Sequence, residues 1–303
     1  MKRVAFFLLF MAVTVSFILI SWNRARADSE YAGSEACKDC HEAYYKDFAK
    51  SIHGKKTVPG SPANREGCES CHGPGAQHIE KGGGRGVAII VFGRKTDPNA
   101  RDSKCLACHG EARGLPFWNL SKHKSAQIAC DNCHSIHAAV QGKGFLKTYE
   151  PDLCFGCHRN IRAQTNKQSH HPIREGKIKC SSCHNSMGTT SKGMIRADSV
   201  NELCYKCHAE KRGPYAFEHM PVPENCLNCH EIHGSNHSGL LVRKVPLLCQ
   251  SCHNDGGHPG NPYTNLHSFS GPATSGKNRF FGRSCLNCHG NIHGSSLSPA
   301  FVR

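Results

Sequence analysis

The sequence has few apolar residues for its length. Hydrophobic residues make up 38% of the 303 residues, and that figure includes 20 cysteines. Without the cysteines, about 31% of the chain is apolar, which is below the usual share for a globular protein. This shortage excludes a large core built from side chains alone. We therefore expect something other than side chains to fill the interior.

Beyond residue 20 the sequence has no apolar run that approaches the roughly 20 residues of a membrane-spanning helix. The one long apolar run, 4–20, follows two basic residues and precedes the sequence Ala-Arg-Ala at 25–27. This order is typical of a secretory signal peptide. We expect residues 1–27 to be that peptide and the mature, exported chain to begin at Asp28. An uncleaved membrane anchor is the alternative.

No cysteine lies outside a C-x-x-C-H motif, and the chain has ten such motifs. This is the attachment sequence for c-type haem, in which two thiols form thioethers and the adjacent histidine binds the iron as proximal ligand. The two cysteines and the histidine occupy positions i, i+3 and i+4, which share one face of a helical turn and can therefore contact one haem. From the ten motifs we expect ten covalent haems. The cysteines are Cys37, Cys40, Cys68, Cys71, Cys105, Cys108, Cys130, Cys133, Cys154, Cys157, Cys180, Cys183, Cys204, Cys207, Cys226, Cys229, Cys249, Cys252, Cys285 and Cys288. The proximal ligands are His41, His72, His109, His134, His158, His184, His208, His230, His253 and His289.

Many cysteines in an exported chain can also indicate disulfides or zinc sites made of paired C-x-x-C motifs. Neither requires a histidine directly after every second cysteine, and all ten motifs have one. We therefore interpret the motifs as haem sites. The expected fold is a multihaem cytochrome c, with mostly short α-helices and loops around an elongated haem chain and little or no β-structure.

The chain carries a formal net charge of +15. Such a balance is also typical of nucleic-acid-binding proteins. Ten haems would bring twenty propionates, so we expect the basic residues to balance those carboxylates. We expect no nucleic-acid partner.

Twelve histidines remain outside the motifs, enough for ten distal ligands. The motifs fall into five pairs, here called repeats 1 to 5, that start at Cys37, Cys105, Cys154, Cys204 and Cys249, and such a period predicts an elongated array. Each repeat has a histidine between its two motifs: His53, His123, His170 or His171, His219, and His258 or His267. Four repeats have another histidine shortly after the second motif: His78, His137, His233 and His293.

Repeat 3 has Met187 at the place where repeats 2 and 4 have His137 and His233. Methionine is a haem ligand that raises the reduction potential relative to two histidines. Three assignments are open: Met187 is the ligand, one of the spare histidines is, or that haem has an open position. The spare histidines are His170, His237 and His267. We expect Met194 and Met220 to be packing residues.

Several strings longer than the bare motif resemble the MtrA/DmsE-type decahaem cytochromes, over nearly all of the mature chain. They are CESCHGPGAQH (68–78), SHHP (169–172), CYKCHAEKRGP (204–214), EHMPVPENCLNCHEIHGS (218–235), LCQSCHNDGGHPG (248–260) and GRSCLNCHGNIHG (282–294). The resemblance implies a histidine where this chain has Met187, and it makes the three spare histidines supernumerary. The distal ligands that it implies are His53, His78, His123, His137, His171, His219, His233, His258 and His293.

The resemblance also implies two related pentahaem halves, roughly 28–165 and 166–303, with closely spaced haems. Members similar to MtrA lie inside an outer-membrane β-barrel and exchange electrons with a cell-surface multihaem cytochrome, and those similar to DmsE serve an extracellular reductase. The expected partners are therefore a barrel porin, a surface cytochrome or reductase, and a periplasmic or inner-membrane cytochrome donor. The expected location is the periplasm, in association with the outer membrane.

Our main functional prediction is an electron conduit across the periplasm and outer membrane. A soluble periplasmic carrier that feeds a terminal reductase is the first alternative, and a polymerised extracellular haem filament is another. A multihaem reductase is the alternative from the enzyme class. Multihaem reductases often mark the catalytic haem with an altered motif, whereas all ten motifs here end in histidine, so we do not expect an enzyme.

Overall fold

The computed structural model describes residues 30–111, 115–137, 144–253 and 285–302. The predicted signal peptide, 1–27, and two candidate ligands, His258 and His267, lie outside the described residues. No helix in the described part of the chain is both long enough and apolar enough to cross a bilayer.

Short helices connected by loops make up the described chain. Twelve α-helices are described: α1 Ser34–Lys50, α2 Glu69–His72, α3 Ala76–Glu80, α4 Pro98–His109, α5 Lys122–Ser125, α6 Cys130–Cys133, α7 Asp152–Phe155, α8 Arg159–Thr165, α9 Cys180–Cys183, α10 Val200–Tyr205, α11 Pro221–Glu224 and α12 Leu247–Gln250. The 3₁₀ turns are Ile52–Gly54, Pro62–Asn64, Trp118–Leu120, Lys192–Met194, Ala209–Lys211, Cys226–Asn228, Ser238–Leu240 and Cys285–Asn287. Within these ranges, β-pairing is limited to five isolated bridges. The prediction of short helices and loops with little or no sheet is confirmed.

Two of the helices, α4 and α10, begin at ordinary helix-start signals. Asp97 caps α4 by accepting hydrogen bonds from the amides of Asn99 and Ala100, and Pro98 occupies the first helical position. Ser199 caps α10 by accepting from the amide of Glu202 at 3.2 Å. Both helices carry a first-motif cysteine, so the caps fix where the motif begins.

Contacts divide the described chain into two compact units. The first comprises residues up to Pro116 together with His123–Tyr149, and it contains the four motifs of repeats 1 and 2. The second comprises Phe117–Lys122 and the chain from Glu150 onward, and it contains the six motifs of repeats 3 to 5. Two pentahaem halves would contain five motifs each, and that division stays a prediction.

Few apolar side chains are buried in either unit. The buried apolar residues of the described chain are Phe48, Trp118, Ala129, Phe155, Ile173 and Ile195. The buried polar residues outnumber them: Ser51, Ser61, Glu69, Arg101, Asp102, Ser121, Thr165, Asn201, Ser235 and Ser295. Polar contacts therefore carry much of the specific structure, as the low apolar content predicts.

A polar side chain joins the two motifs in each of three repeats. It lies three residues before the first cysteine of the repeat and accepts a hydrogen bond from the backbone amide of the first cysteine in the second motif. The three bonds are Cys68 N to Ser34 Oγ at 3.1 Å, Cys130 N to Asp102 Oδ1 at 2.8 Å, and Cys226 N to Asn201 Oδ1 at 2.8 Å. Because an unpaired buried amide is costly, this bond fixes the position of one motif relative to the other.

The buried carboxylate of Glu69 makes a further connection in repeat 1. It accepts hydrogen bonds from the amides of Ala32 and Gly33, each at 2.8 Å, and from the amide of Gly75 at 2.7 Å. Glu69 is only 3% exposed. The segment that enters α1 is therefore attached to α2 through two amides, and the residue before α3 is attached through a third.

Asp102 makes the strongest of the polar links because it also pairs with a cation. Its second oxygen accepts from Lys124 Nζ at 2.9 Å, and its side chain is 1% exposed. The neighbouring Arg101 is also buried and pairs with Asp131 at the start of α6. Two adjacent residues of α4 thus bind α6 and Lys124 of α5.

We predict that Asp102→Leu destabilises the protein by about 3 kcal/mol, because it leaves the Cys130 amide and Lys124 without their acceptor. Asp102→Asn is expected to cost less, because Asn201 makes the same amide contact in repeat 4. Guanidinium unfolding followed by far-UV circular dichroism measures both differences. Equal losses of unfolding free energy in Asp102→Leu and Asp102→Asn would contradict this role.

The pH dependence of the Asn variant separates the ion pair from the amide contact. Burial opposes the charged form of Asp102, but hydrogen bonds from Lys124 and the Cys130 amide outweigh it and lower the pKa. A lowered folded-state pKa gives stability that is present above the unfolded-state pKa, near 4, and is lost as the pH falls through the folded-state pKa. The stability difference between the wild type and Asp102→Asn should therefore be constant from about pH 6 to 8 and shrink below about pH 4.

Candidate haem-binding sites

Each motif forms one helical turn that places its two cysteines and its histidine on the same side. In eight motifs the histidine amide donates to the carbonyl of the first cysteine at 2.9–3.1 Å, for example His184 to Cys180 at 2.9 Å and His230 to Cys226 at 3.1 Å. The other two motifs lie inside α1 and α4. All twenty cysteines are described and none is in a disulfide, so the structure does not support a role for the motifs in disulfide bonding.

The first cysteines of the two motifs in each repeat are hydrogen-bonded to each other. In repeat 1 this bond raises the pKa of the Cys37 thiol and lowers the pKa of Cys68 to about 6. The same contact occurs in every repeat, between Cys105 and Cys130, Cys154 and Cys180, Cys204 and Cys226, and Cys249 and Cys285. The attachment points of the two motifs in a repeat are therefore adjacent.

Cysteines of successive repeats also lie close together within each compact unit. Burial and then the neighbouring Cys105 and Cys108 raise the pKa of Cys71 to about 11. Burial raises the pKa of Cys183 and Cys229, and a nearby cysteine of the next repeat adds to it: Cys207 for Cys183 and Cys252 for Cys229. Cysteines of repeats 1 and 2 are thus neighbours in space, and so are cysteines of repeats 3 and 4 and of repeats 4 and 5.

Seven motif histidines each face one histidine from outside the motifs, with ring centres 6.0–6.4 Å apart. The pairs are His41 with His78, His109 with His53, His72 with His137, His208 with His171, His184 with His233, His253 with His219, and His230 with His293. Every distal histidine in these pairs is one that the sequence predicted.

The spacing of these pairs fits an iron bound between two imidazoles. A metal–nitrogen bond of about 2 Å, with about 1.1 Å more from that nitrogen to the ring centre, places two axial imidazoles about 6.2 Å apart across the iron. The observed 6.0–6.4 Å matches this value. Direct ring stacking would be closer, within about 4.5 Å at the short end. The residues therefore fit haem with two histidine ligands.

Backbone hydrogen bonds orient many of these rings. Nδ1 lies 2.8 Å from the Ile90 carbonyl in His72 and 2.8 Å from the Ile232 carbonyl in His171. Because a carbonyl only accepts, Nδ1 carries the proton and Nε2 is left free for a metal. Similar bonds to carbonyls are made by His78, His134, His137, His184, His219, His230 and His289.

Burial also keeps several distal candidates neutral, which is the form that binds iron. It lowers the pKa of His53, with the positive charge of His109 as a further cause. Burial is likewise the main reason for the lowered pKa of His137, His233 and His293.

The structure separates the two adjacent candidates of repeat 3. His171 lies opposite His208, whereas His170 has both ring nitrogens occupied, by the Lys167 carbonyl at 2.7 Å and by Glu175 at 3.1 Å. The hydrogen bond to Glu175 raises the pKa of His170. His170 is therefore an ion-pairing residue in this structure.

Consecutive repeats within each compact unit exchange histidines. The first motif of a repeat pairs with a histidine of the preceding repeat, as His109 does with His53, and the second motif pairs with one of the following repeat, as His72 does with His137. Repeats 3 and 4, and repeats 4 and 5, exchange histidines in the same way. His41 and His78, at the start of the chain, are the pair that lies within one repeat.

The remaining predicted ligands are placed as follows. His123 is half-buried in α5, and its carbonyl accepts from the amides of Ala126 and Ile128. Met187 is half-buried, with its amide 3.2 Å from Asn185 Oδ1. His237, one of the spare histidines, lines a cavity of about 270 Å³ in the second unit.

Sequence reasoning missed a set of backbone carbonyls that bond the second-motif histidines. In repeats 2 to 5 the carbonyl belongs to Gly144, Gly193, Gly239 or Ala300, nine to eleven residues after the motif histidine. The following residue is Phe145, Met194, Leu240 or Phe301, each at positive φ. The signal was the recurring sequence of a small residue followed by two apolar ones: GFL, GMI, GLL and AFV.

Three segments of the chain, 122–163, 170–213 and 219–258, match a family model described as a doubled CXXCH motif. Each segment contains the second motif of one repeat and the first motif of the next. Such doubled motifs indicate covalently bound c-type haems.

Three known cytochromes are similar to the chain. It is 40% identical over 277 residues to multihaem cytochrome MtrA of Shewanella baltica, covering 89% of this chain and 81% of that protein. It is 26% identical over 303 residues to the polyhaem cytochrome OmcB of Geobacter sulfurreducens, with 88% of this chain covering 37% of OmcB. Cytochrome c-554 of Nitrosomonas europaea is 26% identical over 150 residues, which are 42% of this chain and 61% of that protein. The similarity to MtrA over most of both chains shows that the protein belongs to the MtrA family of multihaem c-type cytochromes, an electron-transfer family.

Proposed function

We propose that the protein binds ten c-type haems and conducts electrons through the outer membrane inside a β-barrel partner. The observation that carries the proposal is the set of seven histidine pairs, each spaced for an iron with two axial imidazoles. Haem supplies a one-electron couple at each site. The chain supplies both axial ligands and the order of the sites.

The histidine pairs favour electron transfer over catalysis at the sites that they form. A substrate that reacts at iron needs an exchangeable coordination position, and a second imidazole occupies it. Proton-bearing Nδ1 atoms bonded to backbone carbonyls hold rings such as His171 and His219 in place. A ligand set that stays the same in both oxidation states suits rapid electron exchange.

The cysteine contacts support a continuous series of sites within each compact unit. In the first unit the contacts run from Cys37 to Cys68, from Cys71 to Cys105 and Cys108, and from Cys105 to Cys130. In the second unit they run from Cys154 through to Cys285. Because haem is attached at these cysteines, consecutive haems would be neighbours along the chain.

The membrane part of the proposal follows from family membership and the size of the barrier. A bilayer has a hydrocarbon core of about 30 Å, which a series of sites can span and one site cannot. We place the exported chain in the periplasm, inserted into an outer-membrane barrel. Its partners are a cell-surface multihaem cytochrome or reductase outside, and a periplasmic or inner-membrane cytochrome inside.

The ten distal ligands in this proposal are the nine histidines that the family resemblance implies and Met187. His258 belongs to this set although it lies outside the described residues. Met187 is chosen over the spare His170 because both nitrogens of His170 already have partners. The second reason is that Met187 follows the second motif of repeat 3 at the place where repeats 2 and 4 have His137 and His233.

The conduit is tested with the full-length protein and its barrel partner in liposomes that enclose a reducible dye. We expect an external reductant to reduce the enclosed dye when both proteins are present. Liposomes with the barrel alone are the control. Absence of reduction by the complex, with each protein fully loaded and inserted, would contradict the conduit, and a chain that only fractionates with soluble periplasm would favour the carrier.

Substituting the two adjacent histidines of repeat 3 tests the ligand assignment. We predict that His171→Ala leaves one iron without its distal imidazole and produces a high-spin signal from one haem, because His171 lies opposite His208 at 6.4 Å. His170→Ala is the matched control and should keep the wild-type spectrum. Near-infrared magnetic circular dichroism of the oxidised protein measures both. A high-spin haem in the His170 variant instead would reverse the assignment.

Met187→His tests the tenth ligand. We predict that the wild-type oxidised protein shows one histidine–methionine charge-transfer band and that the variant loses it, with a fall in the potential of that haem. Near-infrared magnetic circular dichroism and potentiometric titration are the measurements. A wild-type spectrum in which every haem is bound by two histidines would contradict this ligand, and a high-spin signal would indicate an open position.

A further inference from the structure

The second motifs of repeats 2 to 5 share a loop. In repeats 2 to 5 the chain returns to the motif nine to eleven residues after its histidine and forms what we call the latch loop, 144–147, 193–196, 239–242 and 300–302. The first residue of each latch loop offers its carbonyl to Nδ1 of the motif histidine, at 2.9 Å for His184 and 2.8 Å for His230.

The backbone of the latch loop is held in an unusual conformation. Its second residue has φ between 52° and 58° in all four loops, although it is Phe, Met, Leu or Phe. Positive φ costs a residue with a side chain about 1–2 kcal/mol, and such strain persists where the surrounding structure requires it. The carbonyl of this residue accepts an amide just after the motif, as Leu240 does from Glu231 at 2.7 Å and Met194 from Asn185 at 2.8 Å.

Repeat 1 reaches the same bond by another route. Nδ1 of His72 lies 2.8 Å from the carbonyl of Ile90, eighteen residues later. All five second-motif histidines therefore bond a backbone carbonyl through Nδ1. The five are His72, His134, His184, His230 and His289.

The first-motif histidines are arranged differently. All five are exposed: His41, His109, His158, His208 and His253. Nδ1 of His208 lies 3.9 Å from the Glu210 carboxylate, and within the described chain the rings of His41, His109 and His253 make no hydrogen bond. In the described chain, the second-motif histidines thus bond a carbonyl through Nδ1, whereas His41, His109 and His253 are exposed and their rings make no such bond.

We infer that the latch loops lower the reduction potential of the second haem in repeats 2 to 5. A carbonyl that accepts the Nδ1 proton makes the imidazole a stronger donor to the metal and stabilises the oxidised form. The inference rests on the proposed haem binding. Gly193 and Gly239 are positioning residues in this scheme, because they act on the iron site through His184 and His230.

Gly239 offers a test with a matched control. Its φ is 69°, and a Cβ added there meets no atom within 4 Å. Gly239→Pro forces φ to about −65° and removes the loop conformation that directs the carbonyl at His230. Gly239→Asn also adds a side chain, but asparagine tolerates positive φ, so the latch loop should stay intact. Gly193→Pro and Gly193→Asn, where φ is 73°, repeat the test on His184.

The readouts are the haem count by pyridine haemochrome and the potential distribution by spectropotentiometric titration. We expect each Pro variant to keep the wild-type haem count while one haem equivalent moves to a higher potential, and each Asn variant to titrate as wild type. An unchanged Pro titration at full haem load would overturn the inference. Loss of one haem from the Pro variants would also overturn it, because the latch loop would then retain haem rather than tune it.

The same samples separate this inference from the proposed function. A wild-type haem count well below ten, or high-spin iron at the histidine pairs, counts against the proposed sites before any variant is compared. A fully loaded, low-spin wild type with identical Pro and Asn titrations counts against the latch loops alone. Solvent exposure of the first-motif sites also affects their potentials, so the comparison is made between variants of one site.

Discussion

The pairing of a motif histidine with a histidine of another segment is the constraint on which the rest of the structure depends. His53 and His109, or His171 and His208, come from neighbouring repeats and lie 6.0–6.4 Å apart. An iron between them would connect chain segments that share little apolar surface. Each haem site is then also a cross-link, and the repeats hold together by exchanging ligands instead of packing large side chains.

Polar links supply the precision that a small apolar core cannot. Ser34, Asp102 and Asn201 differ in chemistry, yet each accepts the amide of the first cysteine in the next motif. What is kept is an oxygen acceptor at one place, because the buried amide needs a partner. This bond brings the first cysteines of a repeat together, and with them the attachment points of two haems. The spacing of the two haems in such a repeat would therefore depend on one hydrogen bond from a backbone amide to a side-chain oxygen.

Much of this could be predicted from the sequence, because a covalent motif fixes residue types at fixed spacing. The ten motif turns and the seven paired distal histidines were all anticipated by residue number. The sequence did not predict which motif histidine each distal histidine pairs with. His72, for example, pairs with His137 of the next repeat, which the spacing of the motifs alone does not reveal. The latch loops were missed for another reason: their acting group is a backbone carbonyl, such as that of Gly239, which residue type does not show.

Ligand type and hydrogen bonding to the ligand act on the same quantity, the electron density that the axial ligand gives to iron. A histidine can be strengthened through its Nδ1 proton, as the Gly193 carbonyl does for His184. A methionine has no such proton, so at a site bound by Met187 only the proximal histidine could be strengthened in this way. A thioether ligand and a proximal imidazole without a carbonyl at Nδ1 both favour the reduced form. A pair of imidazoles whose proximal member bonds a latch-loop carbonyl favours the oxidised form. The sequence can thus vary potentials from site to site while keeping one attachment motif throughout.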